Sequence, residues 1–250
     1  MLVGAGCSTE SGIPDYRGPE TRHRARNPIQ FRAFVDDPAA YRRYWARAFV
    51  GWPAMAAARP NPAHHALAAL ERRGLTPGLV TQNVDGLHAA AGSTRVIELH
   101  GTLHQVRCLG CGAGFDRWAI QSAIAADNPG RTSSAAIAPD GAAEAEPDAG
   151  FVAPRCRCGG ALKPDVVFFG ENVPRERVEA AYTWLAEADR VLVVGSSLTV
   201  FSGYRFVKRA HERGVPIGLV NLGPSRGDAL STVRVDAPAG EVLPALVAAL

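Results

Sequence analysis

Several features that would place this 250-residue chain in other protein classes are missing from it. No apolar run reaches about 18 residues, so nothing in it reads as a membrane span. The N-terminus has no basic segment followed by an apolar core, which argues against a secretory signal and makes a cytoplasmic protein the expectation. Net charge is only +3 and the arginines are scattered, so no specific nucleic-acid surface is expected. Five cysteines, an odd number, do not make a disulfide framework in such a protein, and a chain of this length needs none to bury a core. At 47% hydrophobic and 20% charged residues, the composition is that of a globular protein.

The most informative stretch is V-G-A-G-C-S-T-E-S-G-I-P-D-Y-R-G at 3–18. A short apolar run, Leu2 and Val3, breaks into Gly4-Ala5-Gly6, the signature of a strand end turning so that backbone N–H groups face a phosphate. The dinucleotide fingerprint G-x-G-x-x-G is not met, because Thr9 stands where the third glycine belongs. A plain strand-to-helix turn would explain Gly4 and Gly6. It would not explain Ser8, Ser11, Gly12, Pro14, Asp15 and Arg17, which suit a loop that covers a ligand. Cys7 is read as a small loop filler.

Downstream, residues 19–74 carry aromatics at helical spacing (Phe31, Phe34, Tyr41, Tyr44, Trp45, Phe49), read as the buried face of a helical module punctuated by Pro38, Pro53, Pro60 and Pro62. His64 and His65 have no metal partner at a useful spacing and are read as structural. Apolar runs at 78–80, 96–99, 191–194 and 216–220 end in polar residues, the placement that puts side chains where open α/β sheets bind ligands. Helices are expected over 175–187 and 204–213, which gives a doubly wound, parallel, Rossmann-like α/β sheet built from 1–18, 75–104 and 163–250. A smaller inserted part interrupts it, made of the helical module and a second module over 105–162. Within that module, 123–149 is rich in Ala, Ser, Pro, Gly and Asp and is expected to be a disordered insertion.

Cys108-x-x-Cys111 and Cys156-x-Cys158 suit one closed, structural, four-thiolate zinc site, with free buried thiols as the alternative. His104 lies nearby but is not needed as a ligand. His100 follows a buried-type strand and precedes a glycine that leaves room for a ligand; on residue type alone it is either a catalytic base or a satisfied structural histidine.

Five stretches in order, T-Q-N-V-D-G-L-H at 81–88, E-L-H-G at 98–101, K-P-D-V-V-F-F-G-E at 163–171, G-S-S-L at 195–198 and L-V-N at 219–221, together with the 3–18 loop, are similar to motifs of the sirtuins, NAD-consuming protein deacylases. Y-W-A-R-A-F-V-G-W-P at 44–53 and P-N-P-A-H-H-A-L at 60–67 resemble the class II branch that includes the lipoamidase-type sirtuin four. The chain departs from the family in two places: only Met1, Leu2 and Val3 precede the glycine loop, as if the start were truncated or lay upstream, and one residue rather than two separates Cys156 from Cys158.

The resemblance implies NAD and zinc as cofactors, acylated lysine side chains of proteins as substrates, and a single catalytic domain over 1–250, with a monomer expected. It implies transfer of the acyl group to ADP-ribose with release of nicotinamide; protein mono-ADP-ribosyl transfer begins with the same loss and is the alternative. His100 is implied as general base on the ribose, with Asn83 and Asp85 catalytic beside it. Gly4, Ala5, Gly6, Ser8, Glu10, Ile13, Asp15, Tyr16 and Arg17 are implied in the cofactor loop, and Gln82, Asn83 and Asp85 in the ribose and nicotinamide pocket. Gly195, Ser196, Ser197, Asn221, Leu222, Gly223 and Ala239 are implied on the adenosine half. Val167, Phe168, Phe169 and Gly170, faced by Gly203, are implied to pair an extended substrate peptide. Arg22, Arg24 and Arg26 are either a solvated basic loop or a carboxylate-binding group favouring acidic or long acyl chains. A nicotinamide dehydrogenase is disfavoured by the missing glycine and the lack of an acidic residue about 20 positions on, and a zinc-dependent binding module by the lack of a basic aromatic face.

Overall fold

The structure, a computed structural model, describes residues 1–16, 28–131, 143 and 150–250. Strands and helices are numbered in chain order. Strands β1 (Leu2–Val3), β2 (Leu79–Thr81), β3 (Val96–Glu98), β7 (Val191–Val194), β8 (Ile217–Val220) and β9 (Val233–Val235) form one sheet in the order β3-β2-β1-β7-β8-β9. Every pairing in it is parallel, with Leu2 opposite both Val80 and Val193. β1 is short yet central, and Val3, Val193 and Val194 are wholly buried because helices cover both faces.

On one face, α6 (Arg175–Glu187) and α7 (Phe201–Glu212) pack Ala181, Leu185, Phe206, Val207 and Ala210 onto Val193, Ile217 and Leu219. On the other, α3 (Pro62–Arg72) and α8 (Ala239–Ala249) pack Ala63, Ala66, Leu67 and Leu243 onto Val3, Leu79 and Val194. Pro62 at the first turn and the Asn61 side chain, accepting from Ala63 N at 3.0 Å, start α3. The expected helical module over 19–74 is therefore divided, with α3 belonging to the large sheet.

The rest of that segment belongs to a second lobe. Helices α1 (Phe31–Asp36) and α2 (Pro38–Ala57) share one core with the antiparallel sheet β5-β4-β6 and with α5 (Arg117–Asp127). The sheet's strands are β4 (Gly101–Cys108), β5 (Gly114–Asp116) and β6 (Leu162–Val166). Phe34 is the hub, its ring 5.0 Å from Tyr41, 5.2 Å from Tyr44 and 4.9 Å from Phe168. Tyr41 Oη donates to Pro154 O at 2.6 Å and accepts from Leu162 N at 2.9 Å, while Trp45 Nε1 donates to Leu162 O at 3.0 Å. These buried polar tips lock helix to sheet, so the helical and cysteine-bearing modules form one body rather than two.

Two boundaries differ from the sequence expectation. Residues 123–127 complete α5 instead of opening a disordered insertion, because Asp116 caps the helix and Ile120 and Ile124, one turn apart, are buried. Beyond it, Asn128 accepts from Val152 N at 2.8 Å and donates to Val152 O at 2.9 Å, joining the chain on either side of 129–151. Most of the expected insertion, 132–142 and 144–149, lies outside the described residues. Helix α7 begins at Phe201, three residues before the expected Tyr204, which places Gly203 inside its first turn. Among the described residues no helix is long and apolar enough to cross a membrane.

Candidate active site

The strand order reverses at β1, with β2 and β3 to one side and β7, β8 and β9 to the other. Such a switch point opens a crevice beyond the strands' C-terminal ends. Residues 4–16, the residues after β2 and β3, and the turns after β7 and β8 converge there.

After β1 the chain makes two 3-10 turns, Ala5–Cys7 and Thr9–Ser11, rather than an α-helix. The expected phosphate cradle of glycine amides needs correction: Gly4 N donates to Val194 O at 2.9 Å and Gly6 N to Gly195 O at 2.8 Å. Those amides are committed to the neighbouring loop. A Cβ on Gly4 would sit 2.7 Å from Ser196 Cβ, so the glycine is required by close approach of the two loops. Ile13 is buried with Trp52, Met55, Leu87 and Leu103 and anchors the loop in the core. Glu10 accepts from Gly240 N at 2.8 Å at the start of α8, where a carboxylate complements the helix dipole. Tyr16 lies edge-on to Phe169 at 6.4 Å, and Asp15 is also described, half-buried. Arg17, Arg22, Arg24 and Arg26 lie outside the described residues.

Beneath this loop is a connected set of polar side chains. Ser8 Oγ donates to Asp85 Oδ2 at 2.7 Å, and Asn83 Nδ2 lies 3.0 Å from Ser8 Oγ and 3.1 Å from Gly4 O. Asp85 also accepts from Leu87 N at 3.0 Å, and His104 Nε2 donates to Asp85 O at 3.0 Å while its ring packs 5.2 Å from Trp52. His104 thus serves this site and not the cysteines. Gln82 Nε2 donates to Ser196 Oγ at 2.9 Å, crossing the switch point. A Cβ on Gly203 would run into this Gln82 side chain, so the close approach of α7 to Gln82 requires glycine there.

His100 joins β3 to β4. Its Nδ1–H donates to Gln82 O at 2.9 Å, which fixes the tautomer and leaves Nε2 with a lone pair. Ser202 Oγ, in the first turn of α7, lies 2.7 Å from Nε2 and donates to it. Nothing in the sequence around Ser202 singled it out; only its neighbour Gly203 was considered. Burial holds the His100 pKa below the usual imidazole range; its bond to the Gln82 carbonyl opposes this, and the charges of Arg177 and Arg205 reinforce it.

On the β7–β8 side, Ser196 Oγ accepts from Leu198 N at 3.2 Å and Ser197 Oγ lies 3.1 Å from Thr199 Oγ1. Leu198 has φ of 53°, the one non-glycine positive value among the described residues, held by full burial of its side chain. Asn221 donates to Gly223 O at 2.9 Å and closes the turn that leaves Leu222 exposed. Ala239 is buried against Val3 and Cys7 at the start of α8 and serves packing.

The segment from Val167 to Gly170 runs from His100 into the small lobe. Val167 N donates to His100 O at 2.8 Å, and Phe31 N donates to Phe169 O at 2.9 Å, with Gln30 bridging Phe169. Buried Lys163 pairs with Glu171 at 3.0 Å, and Glu171 in turn accepts from Phe168 N at 2.9 Å. The Lys163 ammonium lies 4.8 Å from the centre of the Phe168 ring. This clamp holds the bend of the F-F-G-E stretch.

The four cysteines come together at the far end of the small sheet. Cys108 and Cys158 Sγ atoms are 3.5 Å apart, those of Cys111 and Cys156 3.8 Å, and all four lie within 4.8 Å of one another. The one-residue spacing works because the Arg155–Ala161 bridge and the Cys156 N to Gly160 O bond at 3.1 Å form a tight knuckle. Gly110 N and Gly160 N point at Cys108 and Cys158 Sγ from 3.3 and 3.4 Å. Donor set and spacing are compatible with a tetrahedral zinc ion.

A family model described as "Sir2 family" matches residues 4–202. The chain is 53% identical over 247 residues, covering 97% of its own length and 84% of the relative's, to an "NAD-dependent protein deacetylase" of Xanthomonas campestris pv. campestris (strain 8004). Among solved structures, one described as "Sir2-p53 peptide-NAD+" superposes with a TM-score of 0.80 at 30% identity, covering 99% of this chain and 91% of that one. Another, "Sir2 bound to acetylated peptide", gives a TM-score of 0.78 at 29% identity with the same coverage.

Proposed function

The chain belongs to the Sir2 family, and from that premise we propose that it is an NAD-dependent protein-lysine deacylase whose working base is His100. The observation that carries the assignment of the base is the His100 geometry: one ring nitrogen is fixed by the Gln82 carbonyl, and the other is bare of hydrogen and accepts from the Ser202 hydroxyl. The chemistry NAD supplies when bound is an electrophilic ribose carbon with nicotinamide as leaving group. Gln82, Asn83, Asp85 and Ser8 form the donor and acceptor set suited to a ribose and a carboxamide, and Ser196, Ser197 and Asn221 lie across the switch point on the adenosine side. His100, neutral because it is buried, takes a proton at Nε2 from a ribose hydroxyl once Ser202 turns aside. The Val167–Gly170 segment, held by Lys163 and Glu171, offers backbone groups to an extended acyl-lysine peptide.

Mass spectrometry of NAD reactions with a panel of acyl-lysine peptides tests this reading. The expected products are nicotinamide, free lysine peptide and acylated ADP-ribose in equal amounts. Nicotinamide release with ADP-ribosylated protein and an intact acyl-lysine would overturn it. A preference for acidic or long acyl chains, with the class II branch behind it, rests on the sequence at Arg22, Arg24 and Arg26. Several-fold faster removal of such chains than of acetyl, lost when the arginines are neutralised, is the result that would establish it.

A further inference from the structure

A second group of metal-ligating side chains lies apart from the four cysteines. Cys7, His64 and His88 are all buried, and each presents one ligand atom within 4.8 Å of the other two. Cys7 comes from the cofactor loop, His64 from the first turn of α3, and His88 from the short helix α4 (Leu87–Ala90). The imidazoles lie 4.8 Å apart, centre to centre. Neither nitrogen of His88 has a hydrogen-bond partner among the described residues, although the residue is only 2% exposed. A buried imidazole with both nitrogens unbonded costs free energy and calls for an explanation.

The surroundings of His64 supply one. Its Nδ1 lies 2.9 Å from Asn61 Oδ1 and 3.3 Å from Asn61 N, and its Nε2 lies 3.5 Å from Ser8 Oγ, so the ring is held from the Asn61 side with Nε2 turned toward the cofactor loop. Asn61 in turn donates to Cys7 O at 2.7 Å, so a single amide orients two of the three candidate ligands. Outer-shell groups of this kind set the direction of metal-binding histidines. Burial holds both imidazoles below their usual range, to about 4 at His64 and about 3 at His88, so both are neutral ligands at physiological pH. Burial, joined by the negative charges of Asp85 and Glu10, keeps the Cys7 thiol protonated without a metal, and those charges favour a cation beside it.

We propose that Cys7, His64 and His88 form a second zinc site, one thiolate and two imidazoles with the fourth position open, on the inner side of the cofactor loop. On binding, Zn²⁺ displaces the Cys7 thiol proton to solvent and needs no other co-reactant. The donor set is one that holds zinc with a vacant position. Bond lengths of about 2.0–2.3 Å require ligand separations of about 3.3–3.6 Å, so ligand atoms that lie within 4.8 Å of one another draw in by about 1.5 Å at most. That contraction moves Cys7, whose neighbour Ser8 bonds Asp85 and Asn83. Occupancy therefore disturbs the crevice and inhibits turnover, a consequence that rests on the deacylase reading; the binding itself does not.

The full-length protein is equilibrated with Zn²⁺ alone at micromolar free concentration, passed through a desalting column and assayed for bound zinc. Wild type is expected to hold one equivalent more than Cys7→Ala, and His88→Phe is expected to match Cys7→Ala. Equal zinc in wild type and Cys7→Ala would overturn the proposal, whatever the four-cysteine site holds and whether or not any acyl-lysine is turned over. If His88→Phe fails to fold, the Cys7→Ala comparison decides alone. In the activity arm, added zinc should inhibit wild type at a concentration at least 10-fold below that needed for Cys7→Ala; equal sensitivity would rule out the inhibitory role.

Discussion

His100 is held at both ring nitrogens, by Gln82 O and by Ser202 Oγ. Replacing it with alanine should leave NAD binding near wild type and lower deacylation about 10²-fold or more, the loss expected of a general base. Parallel loss of NAD affinity, measured by calorimetry, would make it a structural residue instead. Ser202 acts through His100. A hydroxyl donating to Nε2 favours the neutral ring, so Ser202→Ala should raise the His100 pKa and move the acidic limb of kcat/KM upward. One hydrogen bond of about 1 kcal/mol corresponds to about 0.7 pH unit. Ser202→Thr should restore the wild-type profile, whereas a packing defect alone would scale the rate without moving the limb. In wild type the limb lies below about pH 6.5, because burial lowers the folded pKa. The same depression makes the group's contribution to stability full above that pH and lost as pH falls through the folded value.

At the level of elements, the Lys163–Glu171 pair determines how β6 delivers the F-F-G-E bend. Lys163→Met would leave Glu171 without its cation while it still accepts from Phe168 N. The expected result is a KM for acyl-peptide raised several-fold with KM for NAD little changed, read from steady-state kinetics; equal rises in both would show a general loosening. Much of this level was legible in the sequence. Continuous apolar runs identified the parallel strands except the exposed edge strand β9, whose Val-Arg-Val carries no such run, and their polar ends marked the crevice, because a parallel strand buried on both faces leaves few other patterns. The four thiols were legible from spacing. The division of 19–74 was not, since the aromatics of α1 and α2 and the alanine-leucine face of α3 both read as helix, and periodicity does not say which sheet a face meets. Ser202 escaped notice, and His104 was weighed only against the cysteines, because each owes its place to a partner about 20 to 100 positions away. The glycine amides misled in the other direction: a loop packed against a loop needs the same glycines as a loop packed against a phosphate.

Across the whole molecule, two lobes meet at His100, the residue between the large sheet and the small one. The cysteine knuckles tie β4 to β6, which rest on the Phe34 hub. Binding of one structural zinc ion can be worth on the order of 10 kcal/mol in a small module. Removing it with a strong chelator should therefore unfold the small lobe and abolish deacylation, with loss of near-UV signal from Tyr41, Tyr44 and Trp45. An unchanged melting temperature after complete zinc removal would show that the aromatic core suffices alone.

Asn128 has a consequence for engineering. By bonding both the amide and the carbonyl of Val152, it closes the base of the excursion over 129–151 just as a hairpin closes its loop. Closure entropy then grows only with the logarithm of what is enclosed, about 0.6 kcal/mol for each doubling. A reporter domain or an affinity handle inserted between 129 and 151 therefore costs little closure entropy, because Asn128 already joins the two ends.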